Sequence, residues 1–351
     1  MRVVVVGATG NVGTSVLRAL ADEPAVDSVL GIARRLPGAR YPKTDWAAAD
    51  VSRTDLTEHF RGADVVVHLA WLIQPGRDEA TLRATNVEGS ARVFGAVTRA
   101  GVPALVYASS VGAYSPGPKD RRVDESWPTN GIESSFYARH KAEVERLLDR
   151  FERDNPSVRA VRLRPALIFK REAASGIRRL FAGPFLPSPL VRRELIPVVP
   201  RTPRLSVQAV HSRDAGEAYR LAAVRDVHGA FNIAAEPVLD ADELGRVLGA
   251  RPVAVPPRVL RAAASATYRL RLQPSEAGWL DMGLAVPLMD TTRAREELGW
   301  KPSRGADEAL LDLLAGMRER AGLDTPPLAA DTGGPFRVRE LLTGVGRRTG
   351  L

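Results

Sequence analysis

The sequence predicts an α/β protein with a doubly wound parallel sheet and a smaller, mainly C-terminal lobe. Two observations favour this fold class. Strand-like runs of β-branched residues alternate with helical patterns over the first 165 residues, and a glycine-rich turn directly follows the first run. Near-continuous apolar strands separated by helices indicate a parallel sheet covered on both faces. Right-handed crossovers between its strands let the chain wind outward from the centre of such a sheet towards both edges.

The elements are predicted in chain order from these patterns. We expect strands at 2–6, 28–33, 64–69, 104–108 and 159–163. We expect helices at 12–21, 78–100 and 134–153. After Pro165 the alternation stops, and six prolines (184, 187, 189, 197, 200 and 203) predict an irregular lobe. Residues 206–234 are expected to return to the sheet, and a helical lobe follows with helices at 258–272 and 291–298.

These boundaries predict a divided chain. Residues 1–168 and 205–234 form the sheet domain, and residues 169–204 and 235–330 form a substrate-binding lobe. Apolar candidates in that lobe are Phe181, Phe185, Trp279 and Met282, for which core packing is the expected role. The tail at 331–351 mixes glycine, proline and charge, which is typical of partial disorder.

Composition excludes several classes of site. The chain has no cysteine, which rules out disulfides and thiolate chemistry, and its five histidines show no ligand spacing, so we expect no metal. No apolar run approaches the length of a membrane span, and the N-terminus does not resemble a signal peptide, so a cytoplasmic protein is expected.

The chain is basic, with a net charge of +9, but its arginines are spread along it, so we expect neither nucleic acid nor membrane as a partner. The exception is 159–213, where eleven arginines and Lys170 stand against Glu172 and Glu194 and could face an anionic ligand.

The glycine-rich turn predicts a dinucleotide site. Gly7, Gly10 and Gly13 follow the first strand and open the first helix, where glycine permits a tight turn and close approach of the backbone to a pyrophosphate. Backbone N–H groups and the positive helix end then hold the phosphates. The pattern therefore predicts a Rossmann-type domain whose turn binds the cofactor through Gly7, Thr9, Gly10, Asn11, Val12 and Gly13.

The end of the second strand bears on the choice of cofactor. In the usual NAD site an acidic residue there binds the ribose 2′-hydroxyl. Here Arg34 and Arg35 occupy that place, and arginine would accommodate a 2′-phosphate. The sequence therefore predicts NADP, with NAD possible as the cofactor.

Tyr137 and Lys141 form a candidate catalytic pair. Spacing i, i+4 in a predicted helix puts both side chains on one face. A nearby ammonium lowers the pKa of a phenol from its usual value of about 10, and it can also hydrogen-bond the nicotinamide ribose. Upstream, Ser109 and Ser110 follow the strand at 104–108, where ligands of such sheets bind, and a serine hydroxyl there could orient a substrate carbonyl.

These motifs together resemble the extended short-chain dehydrogenases/reductases, the group that includes NAD-dependent epimerases and dehydratases. The matching segments are GATGNVG at 7–13, Asp50-Val51, HLA at 68–70, Asn86-Val87, Ser109-Ser110, Tyr137-x-x-x-Lys141, Arg164-Pro165, Val210-His211-x-x-Asp214, Asn232-Ile233 and Leu298 to Pro302. The resemblance implies that Tyr137 is the general acid/base, Lys141 its partner and Ser110 the carbonyl-orienting hydroxyl. It also implies cofactor contacts at Asp50, Val51, Leu69, Ala70 and Pro165, and a homodimer through the helices at 78–100 and 134–153.

Two departures from the pattern of nucleotide-sugar enzymes bear on the substrate. Those enzymes typically carry an asparagine where this chain has Leu167, and often an arginine where it has Val207. Our main hypothesis is therefore an NADP-dependent oxidoreductase that interconverts a ketone and a secondary alcohol, both small molecules. The alternatives are a nucleotide-sugar epimerase or dehydratase with transiently reduced bound cofactor, and a non-catalytic dinucleotide sensor.

Overall fold

The computed structural model describes residues 1–74, 77–181 and 196–330, without the side chains of 179–181. Several residues of the predictions lie outside the described residues, namely the tail at 331–351, Pro184, Pro187, Pro189, Phe185 and the Phe181 side chain.

The strands are β1 (Arg2–Val6), β2 (Ser28–Ala33), β3 (Thr44–Ala48), β4 (Val65–His68), β5 (Ala104–Ala108), β6 (Arg122–Val123), β7 (Arg159–Pro165), β8 (Leu167–Phe169), β9 (Val198–Arg201), β10 (Val207–His211), β11 (Gly229–Ile233), β12 (Ala235–Leu239), β13 (Arg251–Ala254) and β14 (Leu288–Met289). The helices are α1 (Asn11–Ala21), α2 (Thr57–Phe60), α3 (Glu79–Arg83), α4 (Gly89–Ala100), α5 (Phe136–Asp154), α6 (Ala174–Phe181), α7 (Ser212–Val224), α8 (Ala241–Leu248), α9 (Pro257–Arg269), α10 (Gly278–Ala285), α11 (Thr292–Glu296) and α12 (Ala306–Glu319).

Seven parallel strands form the central sheet in the order β11-β7-β5-β4-β1-β2-β3. The chain winds outward in one direction from β1 to β3 and in the other from β4 to β11. The direction therefore switches between β1 and β4, and this switch opens a crevice at the carboxyl ends of those strands. The predicted doubly wound sheet is confirmed.

The valines of β1 show why this strand is central. Val3 and Val5 belong to the apolar cluster with α1 and α7, whereas Val4 and Val6 belong to the cluster with α4 and α5. Because successive side chains of a strand point to opposite faces, an unbroken run of valines suits a sheet that is covered on both sides.

Three predictions about elements were wrong in part. The strand β3 was missed because its residues, half-exposed at the sheet edge, lack an apolar run. The segment at 207–211 does not return to the main sheet: β10 pairs with β8 and β12 in a separate three-stranded sheet. Residues 198–201 form the strand β9 beside β13, although Pro200 suggested irregular chain. A proline is tolerated there because a two-stranded sheet leaves one edge of each strand unpaired.

Six of the arginines between 159 and 213 bind groups of the protein itself. Arg159 donates to three carbonyls, those of Ala222, Ala223 and Val227. The other five pair with a carboxylate or donate to a carbonyl, and they are Arg162, Arg164, Arg171, Arg201 and Arg204. These six guanidinium groups serve the fold, and an anionic ligand at the rest of the stretch stays a prediction.

No helix among residues 1–74, 77–181 and 196–330 is long and apolar enough to cross a membrane.

The division of the chain into a sheet domain and a substrate-binding lobe, at the boundaries given in the sequence analysis, stays a prediction.

Candidate active site

The glycine turn between β1 and α1 is shaped for a ligand that approaches the backbone. Gly7 has φ +89°, and a Cβ on it would lie 2.7 Å from the Ala70 nitrogen. A Cβ on Gly13 would lie 2.5 Å from the Gly7 carbonyl oxygen, so this glycine lets helix and turn pack closely. A Cβ on Gly10 would meet only the Gly7 oxygen, at 3.4 Å. Its missing side chain therefore leaves open space at the start of α1, where N–H groups lack helical partners and can bind phosphate.

One groove collects most of the predicted cofactor residues. Those that line it are Gly7, Thr9, Gly10, Arg34, Arg35, Val51, Leu69 and Ala70. Sequence reasoning missed the nine other lining residues, which are Val6, Ile32, Ala33, Ala49, Trp71, Leu72, Thr85, Pro326 and Pro327. The turn and the end of β2 thus face a common space at the crevice, which fits a dinucleotide lying across the carboxyl edge of the sheet.

Other predicted cofactor residues turn towards the protein. Asn11 donates from Nδ2 to the Ile168 carbonyl at 3.1 Å. Val12 packs on the apolar cluster of α1, and Pro165 is buried at the end of β7. Asp50 accepts hydrogen bonds from the backbone and hydroxyl of Ser52, at 2.9 and 2.7 Å. Contact between these side chains and a cofactor stays a prediction.

The positive charge of Arg34, which lines the groove, acts on the nearby Asp50 carboxylate. Burial raises the pKa of Asp50, but the hydrogen bonds from Ser52 and the positive charge of Arg34 outweigh it, so the pKa lies below its ordinary value. Arg34 lines this end of the groove and is a cation that suits a 2′-phosphate, whereas the Asp50 carboxylate beside it is bound to Ser52.

Ser110, Tyr137 and Lys141 meet beyond the carboxyl end of β5. Ser135 caps α5 by accepting from the Ala138 N–H, and the helix then presents Tyr137 and Lys141 one turn apart. Tyr137 hydrogen-bonds with Ser110, whose Oγ also accepts from the Gly112 N–H at 3.0 Å. The structure thus brings together the three residues of the predicted cluster.

Burial governs the proton equilibria of the pair. It raises the pKa of Tyr137, and the hydrogen bond with Ser110 only partly opposes it. Burial also lowers the pKa of Lys141 well below its ordinary value, against the charge of Glu145. The expected lowering of the Tyr137 pKa by Lys141 is not found. The lysine Nζ donates to the Ala108 carbonyl at 2.6 Å and lies 5.9 Å from the centre of the Tyr137 ring.

Trp71 completes an aromatic enclosure around the pair. The Lys141 Nζ lies 3.5 Å from the centre of the Trp71 ring, and the Trp71 and Tyr137 rings meet edge to face at 5.9 Å. On the other side, Trp279 of α10 lies 5.0 Å from the Tyr137 ring, so it belongs to the site and not only to the core. The Trp71 Nε1 is buried and has no hydrogen-bond partner among the described residues.

Asn86 fixes the segment that carries Trp71. Its side chain accepts from the Leu72 N–H at 2.7 Å and donates to the Leu72 carbonyl at 2.8 Å. The sequence signal for Trp71 was its position directly after the HLA segment, at the end of a strand that borders the crevice.

The two neighbouring serines have different roles. Ser109 donates to Glu145, a fully buried carboxylate that also pairs with Arg162 at 2.8 Å and Arg164 at 2.9 Å. Because Glu145 follows Lys141 by one more helical turn, this charged network lies directly behind the cluster of Ser110, Tyr137 and Lys141. Ser109 is thus engaged by the buried network, which leaves Ser110 as the candidate for orienting a substrate oxygen.

The fold and this cluster define a dinucleotide-binding protein of the short-chain dehydrogenase/reductase class. The model of the NAD dependent epimerase/dehydratase family matches residues 3–234. The chain belongs to that family, and thereby to the enzymes of the short-chain dehydrogenase/reductase superfamily.

Similar proteins show how far the likeness extends. An uncharacterized protein of Mycobacterium tuberculosis (strain ATCC 25618 / H37Rv) is 29% identical over 326 residues, which are 92% of this chain but only 31% of that protein. Sterol-4-alpha-carboxylate 3-dehydrogenase (decarboxylating) of Candida albicans (strain SC5314 / ATCC MYA-2876) is 33% identical over 118 residues, 33% of each protein. The solved structure of UDP-glucose 4-epimerase from Stenotrophomonas maltophila, with bound NAD and formylated UDP-arabinopyranose, is 22% identical. Its TM-score is 0.68 over 91% of this chain and 98% of that chain, which shows the common fold.

Proposed function

We propose that this chain oxidises a secondary alcohol of a nucleotide-sugar substrate to a ketone and reduces it again in the same site. The observation that carries the proposal is the cluster of Ser110, Tyr137 and Lys141 next to the dinucleotide groove. Family membership supports it, as does the likeness to an epimerase that binds NAD and a UDP-sugar. This favours the epimerase or dehydratase alternative over a net oxidoreductase.

The chain's own residues would bind, orient and move a proton. The Ser110 hydroxyl would orient the substrate oxygen, and Tyr137 would exchange a proton with it. The nicotinamide ring supplies the hydride acceptor and donor when bound. Because burial raises the pKa of Tyr137, this group is a proton donor at neutral pH. Uptake of a proton from the alcohol then needs Lys141 to hold its ammonium beside the phenolate.

The cofactor belongs to the NAD class that the family description names. We propose that NADP is accepted as well, because Arg34 and Arg35 line the groove where the adenosine ribose would lie. The homodimer through α3, α4 and α5, and the cytoplasmic location, stay predictions.

A second candidate is a net alcohol or ketone oxidoreductase that acts on a more apolar substrate. Two observations favour it. The space around Tyr137 is walled by Trp71, Trp279 and the buried Met282, and the polar contacts expected for a nucleotide sugar are absent at Leu167 and Val207. The partial likeness to a sterol 3-dehydrogenase agrees with this alternative.

The two candidates differ in what happens to the cofactor. We would purify the protein gently, identify any retained dinucleotide by mass spectrometry, and add UDP-glucose or a cyclic ketone with NADPH or NADH. Retained cofactor and an isomerised or dehydrated sugar without net cofactor consumption would support the main proposal. Stoichiometric oxidation of the added reduced cofactor by the ketone would support the second candidate and overturn the first.

Tyr137→Phe tests the chemistry common to both. This variant should keep its dinucleotide affinity and lose nearly all turnover. The control is Tyr268→Phe, which removes a phenol hydroxyl from α9, outside the described groove, and should retain full turnover. Turnover retained in Tyr137→Phe would remove Tyr137 from the mechanism.

A further inference from the structure

Residues 322–330, called here the C-terminal loop, form a closed turn beyond α12. The Leu323 N–H donates to the Leu328 carbonyl at 3.0 Å. A Cβ on Gly322 would lie 2.6 Å from the Ala330 nitrogen, so the two ends of the loop run side by side. Loops with adjoining ends that are packed by their own side chains are compact units, so this segment is a defined structure.

The C-terminal loop is fastened to the chain that follows β2. The Ala39 N–H donates to the Asp324 carbonyl at 3.4 Å. The Asp324 carboxylate lies directly against Gly38, where an added Cβ would come within 2.2 Å of Oδ2. Thr325 and Leu328 are buried, with exposed fractions of 1% and 4%. These contacts hold the loop next to the segment that carries Arg34 and Arg35.

Pro326 and Pro327 complete a wall of the groove. They line the same space as Gly10, Arg34 and Val51, although they lie some 290 residues further along the chain than Arg34. Because the end of the second strand of such a sheet meets the adenosine ribose, the two prolines stand at the adenosine end of the groove.

We propose that Pro326 and Pro327 contact the adenosine half of the bound dinucleotide, and that the C-terminal loop slows its release. The inference rests on the dinucleotide binding proposed above. Proline rings present rigid apolar surface and lose no side-chain entropy on contact, so they suit the face of an adenine or ribose ring. A cofactor held in this way is not exchanged at every turnover, which suits an enzyme that reduces and reoxidises it in place.

The test measures release of NADH, by stopped-flow fluorescence after displacement with excess NAD, from four proteins. These are the full chain, a chain ending at Ala330, a chain ending at Ala321, and the double variant Pro326→Gly/Pro327→Gly. The full chain and the chain ending at Ala330 should release NADH at the same rate. The chain ending at Ala321 and the double variant should release NADH about tenfold faster than the full chain. This factor is expected when the contact made by roughly one buried apolar side chain is lost.

Each outcome decides a separate point. Equal rates in the double variant and the full chain would overturn the role of the prolines. Faster release from the chain ending at Ala330 would assign the effect to residues 331–351 and overturn the proposal as well. If the shorter chain ending at Ala321 does not fold, the double variant still decides, because it keeps the whole chain. Failure of the full chain to bind NADH at all would instead overturn the proposed function.

Discussion

The Lys141 ammonium lies 3.5 Å from the centre of the Trp71 ring, so the lysine proposed for catalysis rests on the face of a tryptophan. A cation held over an indole face gains roughly 2 kcal/mol when the contact is desolvated. The same ammonium has a backbone anchor, the Ala108 carbonyl at 2.6 Å. Trp71 is thus a positioning residue for Lys141, and the ring also lines the cofactor groove.

Replacing Trp71 should therefore disturb the lysine. We expect Trp71→Ala to lower turnover about 10- to 30-fold, the equivalent of losing roughly 2 kcal/mol of cation–π contact. Trp71→Phe should lose less, because it keeps an aromatic face. Lys141 should also react faster with acetic anhydride in Trp71→Ala, as measured by mass spectrometry, because the ring no longer covers it. An unchanged labelling rate in that variant would contradict the positioning role.

Gly10 and Gly13 should separate cofactor binding from folding. In Gly10→Ala the new methyl group meets only the Gly7 oxygen, at 3.4 Å, and otherwise enters the groove. This variant should keep its Tm to within a few degrees and lose about tenfold or more in NADH affinity, because the methyl keeps the pyrophosphate from the backbone. In Gly13→Ala the methyl would come within 2.5 Å of the Gly7 oxygen, so stability should fall by about 1–3 kcal/mol.

The measurements are the Tm without cofactor and the Kd for NADH. If Gly10→Ala binds NADH like the unmodified chain, the turn does not hold the phosphates in the proposed way.

Local rules predicted the parts of the site that depend on neighbouring residues. The glycine turn and the Tyr137–Lys141 pair follow from spacing within one turn or one helix, and the structure contains both. Contacts between distant parts of the chain were not predictable in this way. Pro326 reaches the groove because the C-terminal loop is fastened to Gly38 and Ala39, which follow β2. The strand β10 pairs with β8 and β12 outside the main sheet, a pairing that its own residues do not specify. Burial likewise reversed the expected pKa shift of Tyr137, because desolvation depends on the whole enclosure.

Arg34 should set the preference between the two nicotinamide dinucleotides. Arg34→Ala should weaken NADPH binding about 10- to 100-fold, the range for one charge-assisted contact to a phosphate, and leave NADH binding nearly unchanged. The matched control is Arg40→Ala, which removes an exposed arginine outside the residues that line the groove. The readout is the ratio of the two Kd values from fluorescence titration. A ratio that is the same in Arg34→Ala and the unmodified chain would show that Arg34 does not bind the 2′-phosphate.

Glu145 should make the folded protein sensitive to acid. Burial raises the pKa of this carboxyl, but the charges and hydrogen bonds of Arg164 and Arg162 outweigh it and lower the pKa from 4.5 to about 2. A carboxyl with a depressed pKa in the folded state stabilises the fold above its unfolded pKa, and this contribution is lost as the pH falls from about 4.5 towards 2. The free energy of unfolding, measured in urea, should therefore decline over that window.

Glu145→Gln isolates this contribution, since it keeps the shape of the side chain but leaves Arg164 and Arg162 without their buried carboxylate. At pH 7 the free energy of unfolding should fall by about 3–5 kcal/mol, the usual result of breaking a buried ion pair. Glu297→Gln breaks a surface pair with Arg293, in which Glu297 is 53% exposed, and should cost at most about 1 kcal/mol. The variant Glu145→Gln should also lose less stability than the unmodified chain between pH 4.5 and 2. Parallel acid curves for the two proteins would show that the acid sensitivity arises elsewhere, and that Glu145 is not the group whose protonation opens the network behind Lys141.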